Sequence, residues 1–223
     1  MLGEEGSVRT RLVELARRFR AGGLLAGASG NLSARLGDGR VLITPAGGFK
    51  DEARPEELLL VDAAGHVLAG SGTGAMSSEG RMHLALYRRH PSVRAVMHTH
   101  APAATAIGCA EAAPDLGITA EGVAALGPVV VVPWVVPGGE ELAVRVAQAA
   151  DRGWTLLLRN HGVVTCGASA DDAAARMESL EHVARIYTHA IALGRCRVIP
   201  DADRDALLAQ YGWPERLPGW RSG

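Results

Sequence analysis

Strand-like and helix-like segments alternate along this chain from end to end, and that intermixing narrows the fold more than any other feature. Val8, Leu12, Leu15, Ala16 and Phe19 follow Ser7 at helical spacing, and Gly22-Gly23 stops the run. Residues 24–36 read as a small-residue loop. Short β-type runs follow at 41–44, 58–61 and 66–68, with Asp62-Ala63-Ala64-Gly65 as a hairpin turn between the last two. After the glycine-rich run 70–74, Ser77 or Ser78 caps a helix that reaches Arg89. Residues 93–98 alternate like a strand, and a helix starts at Ala101. A Pro- and Gly-punctuated stretch (114–127) leads to the valine run of 129–137, broken by prolines, which reads as a buried strand. Residues 139–150 are helical, and 154–158 and 163–165 are strands. Met177, Leu180, Ala184, Tyr187 and Ile191 keep a helical stripe through 169–193. Such intermixing implies an α/β or α+β layered fold, and the hairpin makes part of the sheet antiparallel. No repeat or linker divides residues 1–223, so one domain is expected, with 196–223 a polar tail that serves as a mobile flap or a packing arm.

Composition closes off several classes of function. With 48% hydrophobic and 21% charged residues over 223 positions, the chain is not disordered, collagenous or a coiled coil. Lys plus Arg is 23 against 24 Asp plus Glu, so no net field draws nucleic acid or an acidic membrane. Lys50 is the only lysine, the one candidate for lysine chemistry. Cys109, Cys166 and Cys196 are too scattered for a disulfide framework or a cysteine zinc site. No stretch approaches the roughly 20 apolar residues of a membrane helix. A cytoplasmic, soluble protein without a secretory signal is the expectation.

Chemistry concentrates at strand ends. His98 and His100 stand at i and i+2 of a strand terminus, where both imidazoles face the same way and can reach one cation. His161 follows a second strand. Three histidines with an open fourth position suit a catalytic zinc ion, although such a strand-end pair also serves simply to hydrogen-bond loops. Glu79 follows Ser77 and Ser78 at a helix start. There it either complements the helix dipole or acts as ligand and base beside a cation. The serine hydroxyls and free N–H groups next to it form an anion site of the kind phosphates use. Ser29-Gly30-Asn31-Leu32-Ser33 and Ile43-Thr44-Pro45-Ala46-Gly47-Gly48 are turns with exposed N–H groups. No phosphate-cradling glycine motif of a nucleotide site is present. His66, His83, His90, His182 and His189 read as structural, and the cysteines as plain thiols.

Taken in order and spacing, Gly30-Asn31-Leu32-Ser33, Ile43-Thr44-Pro45-Ala46-Gly47, Ser77-Ser78-Glu79, His98-x-His100 and Asn160-His161-Gly162 resemble the class II aldolase/adducin family, and within it the L-fuculose-phosphate aldolase branch. The resemblance runs from about residue 7 to 193. It implies a three-layer αβα fold with a central, largely antiparallel sheet, and a homotetramer with active sites at subunit interfaces. It implies zinc, or another divalent metal, on His98, His100 and His161, with Glu79 a further ligand that swings off as acid/base. Gly30, Asn31, Ala46, Gly47, Ser77 and Ser78 then hold the phosphate of a sugar substrate. The implied reaction is retro-aldol cleavage of a ketose or ketose phosphate through a metal-stabilised ene-diolate. Sugar-phosphate 4-epimerisation, dehydration and hydroxy-acid decarboxylation are alternatives on the same site, and a non-catalytic adducin-like scaffold is a further one. Two departures stand out. Ala28 and Ala46 replace threonines that the aldolase branch often has. The segment 114–122 also lacks that branch's catalytic tyrosine, leaving Tyr211 in a C-terminal Tyr-Gly as the phenol near the site.

Overall fold

The computed structural model describes residues 3–70, 75–111 and 114–217. The glycine-rich run beyond Gly70 and Trp220 lie outside the described residues. Helix α1 (Glu4–Ala21) opens the chain, followed by β1 (Asn31–Arg35), β2 (Val41–Ile43), β3 (Leu59–Val61) and β4 (Val67–Ala69). Then come α2 (Gly80–Arg89), β5 (Ala95–Thr99), α3 (Pro102–Cys109), α4 (Ala120–Leu126), β6 (Val129–Val132) and α5 (Glu140–Ala149). Strands β7 (Thr155–Leu158) and β8 (Gly162–Gly167) precede the long α6 (Ala170–Ala192), with α7 (Asp201–Gln210) and α8 (Trp213–Arg216) last.

All eight strands form one sheet in the order β4-β3-β2-β1-β5-β8-β7-β6. Every neighbouring pair is antiparallel except β6–β7. Side-chain alternation splits the core in two. Leu32, Ala34, Ala95, Met97, Leu157 and Val163 face α1, α3 and α6. Val96, Leu156, Leu158, Val164 and Cys166 face α2 and α5. The result is a sheet between two helical layers, the α/β architecture that the resemblance implies. Among the described residues no helix is long and apolar enough to cross a membrane.

Several local expectations need correction. Residues 31–35 are a strand at the centre of the sheet, not part of a loop. Its polar Asn31 and Ser33 point to the α2 side and hid the alternation of Leu32 and Ala34. Helix α1 starts at Glu4, where Glu4 and Glu5 complement the dipole, rather than after Ser7. The stretch 114–127 contains α4, capped by Thr119 Oγ1 accepting from Gly122 N at 3.1 Å. The cap residue of α2 is Glu79, because Ser77 uses its carbonyl and hydroxyl on the N–H groups of Gly80 and Glu79.

The tail is a packing arm as far as it is described. Trp213 is 1% exposed, its Nε1 donates to Ala124 O at 2.9 Å, and the Arg176 guanidinium lies 4.8 Å from its ring. Truncating a buried tryptophan costs about 3–5 kcal/mol. Trp213→Ala should therefore lower unfolding free energy by that order in urea melts. A loss under about 1 kcal/mol, within the range of surface substitutions, would show that the arm contributes little.

Candidate active site

Strand register assembles the centre. Asn31 of β1 lies opposite His98 of β5, and His98 lies opposite Val164 of β8. The β7–β8 hairpin, with Leu158 paired to Gly162, carries His161 in its three-residue turn. That turn needs Asn160 in the left-handed region (φ 52°), which asparagine tolerates better than most residues. Gly162 is required by close approach, since a Cβ there would stand 2.6 Å from His100 Cδ2 and 2.7 Å from Thr99 O. Gly30 (φ +80°) is required for the same reason, because its Cβ would stand 2.8 Å from His98 O. Both glycines of the recognised motifs therefore let backbone close in on the histidines.

The three imidazoles stand 5.0–5.2 Å apart between ring centroids, edge to face. One nitrogen from each falls within 4.8 Å of the others, which is reach for a shared ion. His98 is fully buried, and its Nδ1 is 2.9 Å from Val163 O. A carbonyl only accepts, so Nδ1 carries a proton and Nε2 is the nitrogen turned toward Glu79, the orientation that metal-binding histidines use. Glu79 reaches in from the start of α2, with Oε1 2.8 Å from His161 Nε2 and Oε2 3.3 Å from His98 Nε2. Asn31 Nδ2 donates to Glu79 Oε2 at 3.1 Å.

Electrostatics agree with a cation site. Burial pushes the Glu79 carboxyl up, but hydrogen bonds and charge from His161 and His98 outweigh it and hold the group well below the ordinary carboxylate range. Burial, then the like charge of His98 and His161, lowers His100 to about 4, so its lone pair is available at neutral pH. His98 Nε2, His100 Nε2 and His161 Nδ1 are buried without a hydrogen-bond partner. Buried polar atoms left unpaired are costly, and unpaired nitrogens on all three clustered imidazoles fit a site that takes a ligand. Three imidazoles with a carboxylate beside them are donors that a divalent metal ion could use.

The candidate anion residues adjoin this centre. A β-bridge from Pro45 to Met76 and a 3.0 Å bond from Ala46 N to Ala75 O fix the Ala46-Gly47 turn beside the segment leading into Ser77 and Ser78. Thr44 is buried, and its hydroxyl accepts from Leu32 N, so it anchors the turn to β1. Ser78, Ala46, Gly47 and Ala28 are exposed. Tyr211 stands apart: it ends α7, is 52% exposed, and lines a surface cleft with Ala125, Asp172 and Arg176. A cleft of about 460 Å³ lies elsewhere again, between α4 and α7, where Arg204 bridges Asp115 and Asp201.

Sequence reasoning took His83 as structural and did not resolve its partners. His83, one helical turn after Glu79, is fully buried, and its Nδ1 is 2.6 Å from Ser33 Oγ, which lies 2.7 Å from Tyr87 Oη. The i, i+4 spacing from Glu79 was the available signal.

A layered α/β chain with three strand-end histidines around a helix-borne glutamate has the donors of a metal-binding enzyme centre. Residues 10–188 match the class II aldolase and adducin N-terminal domain, and the chain belongs to that family. A 3-oxo-tetronate 4-phosphate decarboxylase from Escherichia coli O6:H1 is 37% identical over 186 residues, covering 82% of this chain and 86% of the relative. An L-fuculose phosphate aldolase from Methanococcus vannielii is 34% identical over 160 residues, covering 72% of this chain and 84% of the relative. Among solved structures, YgbL from Escherichia coli superposes with a TM-score of 0.84 at 34% identity, over 92% of this chain and 99% of that one.

Burial lowers His83 to about 3, with a smaller contribution from the charge of His98. The unfolded chain, with an imidazole near the ordinary 6.5, binds more protons than the native one below that pH. Stability should therefore rise with pH between these two values and fall as pH drops toward the lower. One proton corresponds to about 1.4 kcal/mol per pH unit. In urea melts of metal-free protein across this range, His83→Gln should remove up to that much of the slope. An unchanged slope would refute the assignment.

Proposed function

We propose that the chain is a zinc-dependent lyase that decarboxylates a short 3-oxo sugar acid phosphate. The cluster of His98, His100, His161 and Glu79 carries the lyase reading. His98, His100 and His161 would hold the ion, with Glu79 as a further ligand. Zinc, when bound, supplies a Lewis acid that polarises the substrate's carbonyl and neighbouring hydroxyl oxygens. Retention of the full donor set speaks against a non-catalytic scaffold.

Proton accounting favours decarboxylation over aldol cleavage. In aldol cleavage the departing fragment leaves as an aldehyde, and its hydroxyl must first give up a proton to a base. A carboxylate is already deprotonated, and carbon dioxide departs without proton transfer. Residues 114–122, Pro-Asp-Leu-Gly-Ile-Thr-Ala-Glu-Gly, hold no tyrosine to serve such a leaving group. Glu79, ionised at rest, takes the proton of the hydroxyl beside the carbonyl. The bond to the carboxylate breaks, its electron pair stays on the hydroxyl-bearing carbon, and Glu79 returns the proton to that carbon. The oxygen regains a proton from solvent, so one is consumed per carbon dioxide released. Identity to decarboxylases over four fifths of the chain supports the same choice. Retro-aldol cleavage of a ketose phosphate is the second reading, favoured by likeness to L-fuculose phosphate aldolase.

Asn31, Gly30, Ala46, Gly47, Ser77 and Ser78 are proposed to bind the substrate phosphate, Asn31 also steadying Glu79. The working unit is proposed to be a cytoplasmic homotetramer with sites at subunit interfaces. Tyr211, exposed and apart from its own chain's cluster, would then serve a neighbouring site. Nothing in the charge balance calls for nucleic acid or membrane as partner.

Zinc-loaded protein given 3-oxo-tetronate 4-phosphate should release carbon dioxide faster than it releases aldehyde from fuculose 1-phosphate. Glu79→Gln should cut that rate by ~10²–10⁴ with zinc still bound. Aldehyde release as the dominant activity would favour the second reading, and no activity after zinc loading would sink both. Light scattering should give the mass of four chains, and a monomer at micromolar concentration would contradict the interface site.

A further inference from the structure

Lys50 is the one chemically distinctive residue that the reaction above does not use. It is only 4% exposed, and its Nζ donates to Gly47 O at 2.7 Å and Gly48 O at 3.2 Å. Among the described residues no carboxylate lies within ion-pair distance of it. The adjacent Asp51 is taken by Arg20, whose guanidinium also lies 5.0 Å from the Phe49 ring. A buried ammonium that meets only neutral carbonyls is an expensive arrangement, and burial lowers its pKa.

What the charge accomplishes follows from peptide geometry. In a planar trans peptide the carbonyl and the N–H point in opposite directions. Drawing the carbonyls of Gly47 and Gly48 onto Nζ turns the N–H groups of Gly48 and Phe49 away from it. Neither N–H has an acceptor among the described residues, and all three residues are exposed. Two consecutive left-handed positions, φ 68° at Gly47 and 63° at Gly48, make this conformation accessible. Successive free N–H groups in such a turn form an anion-binding concavity. The Pro45–Met76 bridge places it beside Ser77 and Ser78.

We infer that Lys50 is a positioning residue for the anion subsite, setting the Gly47–Phe49 amides toward a phosphate and supplying a fixed positive charge behind them. The inference rests on the phosphate-binding reading of this turn and names the residue that gives it charge. It also explains how the subsite functions with alanine at 28 and 46, since a cation behind the turn replaces hydroxyls in front of it.

The test uses inorganic phosphate as the probe on zinc-loaded protein, by calorimetry at fixed ionic strength. Lys50→Met should weaken phosphate roughly tenfold or more, while Lys50→Arg, which keeps the charge, stays nearer wild type. The Lys50→Met loss should appear in KM for a phosphorylated substrate, with kcat little changed. A second measurement needs no variant: because Lys50 is the only lysine, an acetylating reagent followed by mass spectrometry reads it alone beside the N-terminal amine. Saturating phosphate should slow acetylation of Lys50 and leave the terminal amine unaffected. Equal phosphate affinity in Lys50→Met and wild type, or acetylation of Lys50 unaltered by phosphate, overturns the proposal. Failure of the underlying reading looks different: the wild type itself would bind no phosphate, or Ser78→Ala would leave binding unchanged.

Discussion

The Glu79 carboxylate is where the sheet and a helical layer meet, and the site's geometry depends on it. Its two oxygens reach His161 and His98 from the first turn of α2, and Asn31 holds one of them from β1. Those partners come from three places in the sequence, brought together because β1, β5 and β8 are adjacent. A slip of one residue between β1 and β5 would turn Asn31 or His98 to the opposite face and break the cluster. Burial of Leu32 and Ala34 on one side, with Ser33 bonded to His83 on the other, opposes that slip. The same packing that stabilises the sheet therefore fixes the distances on which the chemistry relies.

Much of this was legible in the sequence, and the parts that were not share a cause. The i, i+2 spacing of His98 and His100 required only that 93–98 be a strand, and the valine and alanine pattern showed it. Asn31 was identified through its motif, yet its strand was read as a loop. A strand that turns Asn and Ser inward to serve a site loses the apolar alternation by which strands are recognised. The His83–Ser33–Tyr87 chain was invisible for the same reason, since buried polar groups look exposed in a sequence. Helix α4 was hidden by the glycines and prolines around it, because its cap at Thr119 and its packing on α6 outweigh local propensity.

The carboxylate also bears on the direction of proton transfer in the site. Glu79 is held ionised by its histidine partners, so at rest it can only accept a proton. An acid/base group that starts as a base suits a substrate with an exchangeable hydroxyl beside its carbonyl. The first proton then comes from the substrate and is returned to it, so no acid needs to be stored in the site. His100, lowered to about 4, stays neutral and free to bind a cation throughout.

That economy bears on the tyrosine missing from 114–122. With Tyr211 remote from the cluster of its own chain, the proton-transfer groups beside Glu79 are the histidines proposed to hold the metal. A reaction with two proton transfers at separate ends of the breaking bond would have to borrow one from a neighbouring chain. Loss of carbon dioxide has only one such end, and in the proposed reaction Glu79 serves it. Under the proposed reaction, residues of a single chain complete the proton path, and the charge of Lys50 behind the Gly47–Phe49 turn is proposed to serve the substrate's phosphate. On this view the absent tyrosine is a group that decarboxylation does not require, and the charge of Lys50 stands in for the hydroxyls that alanines at 28 and 46 lack.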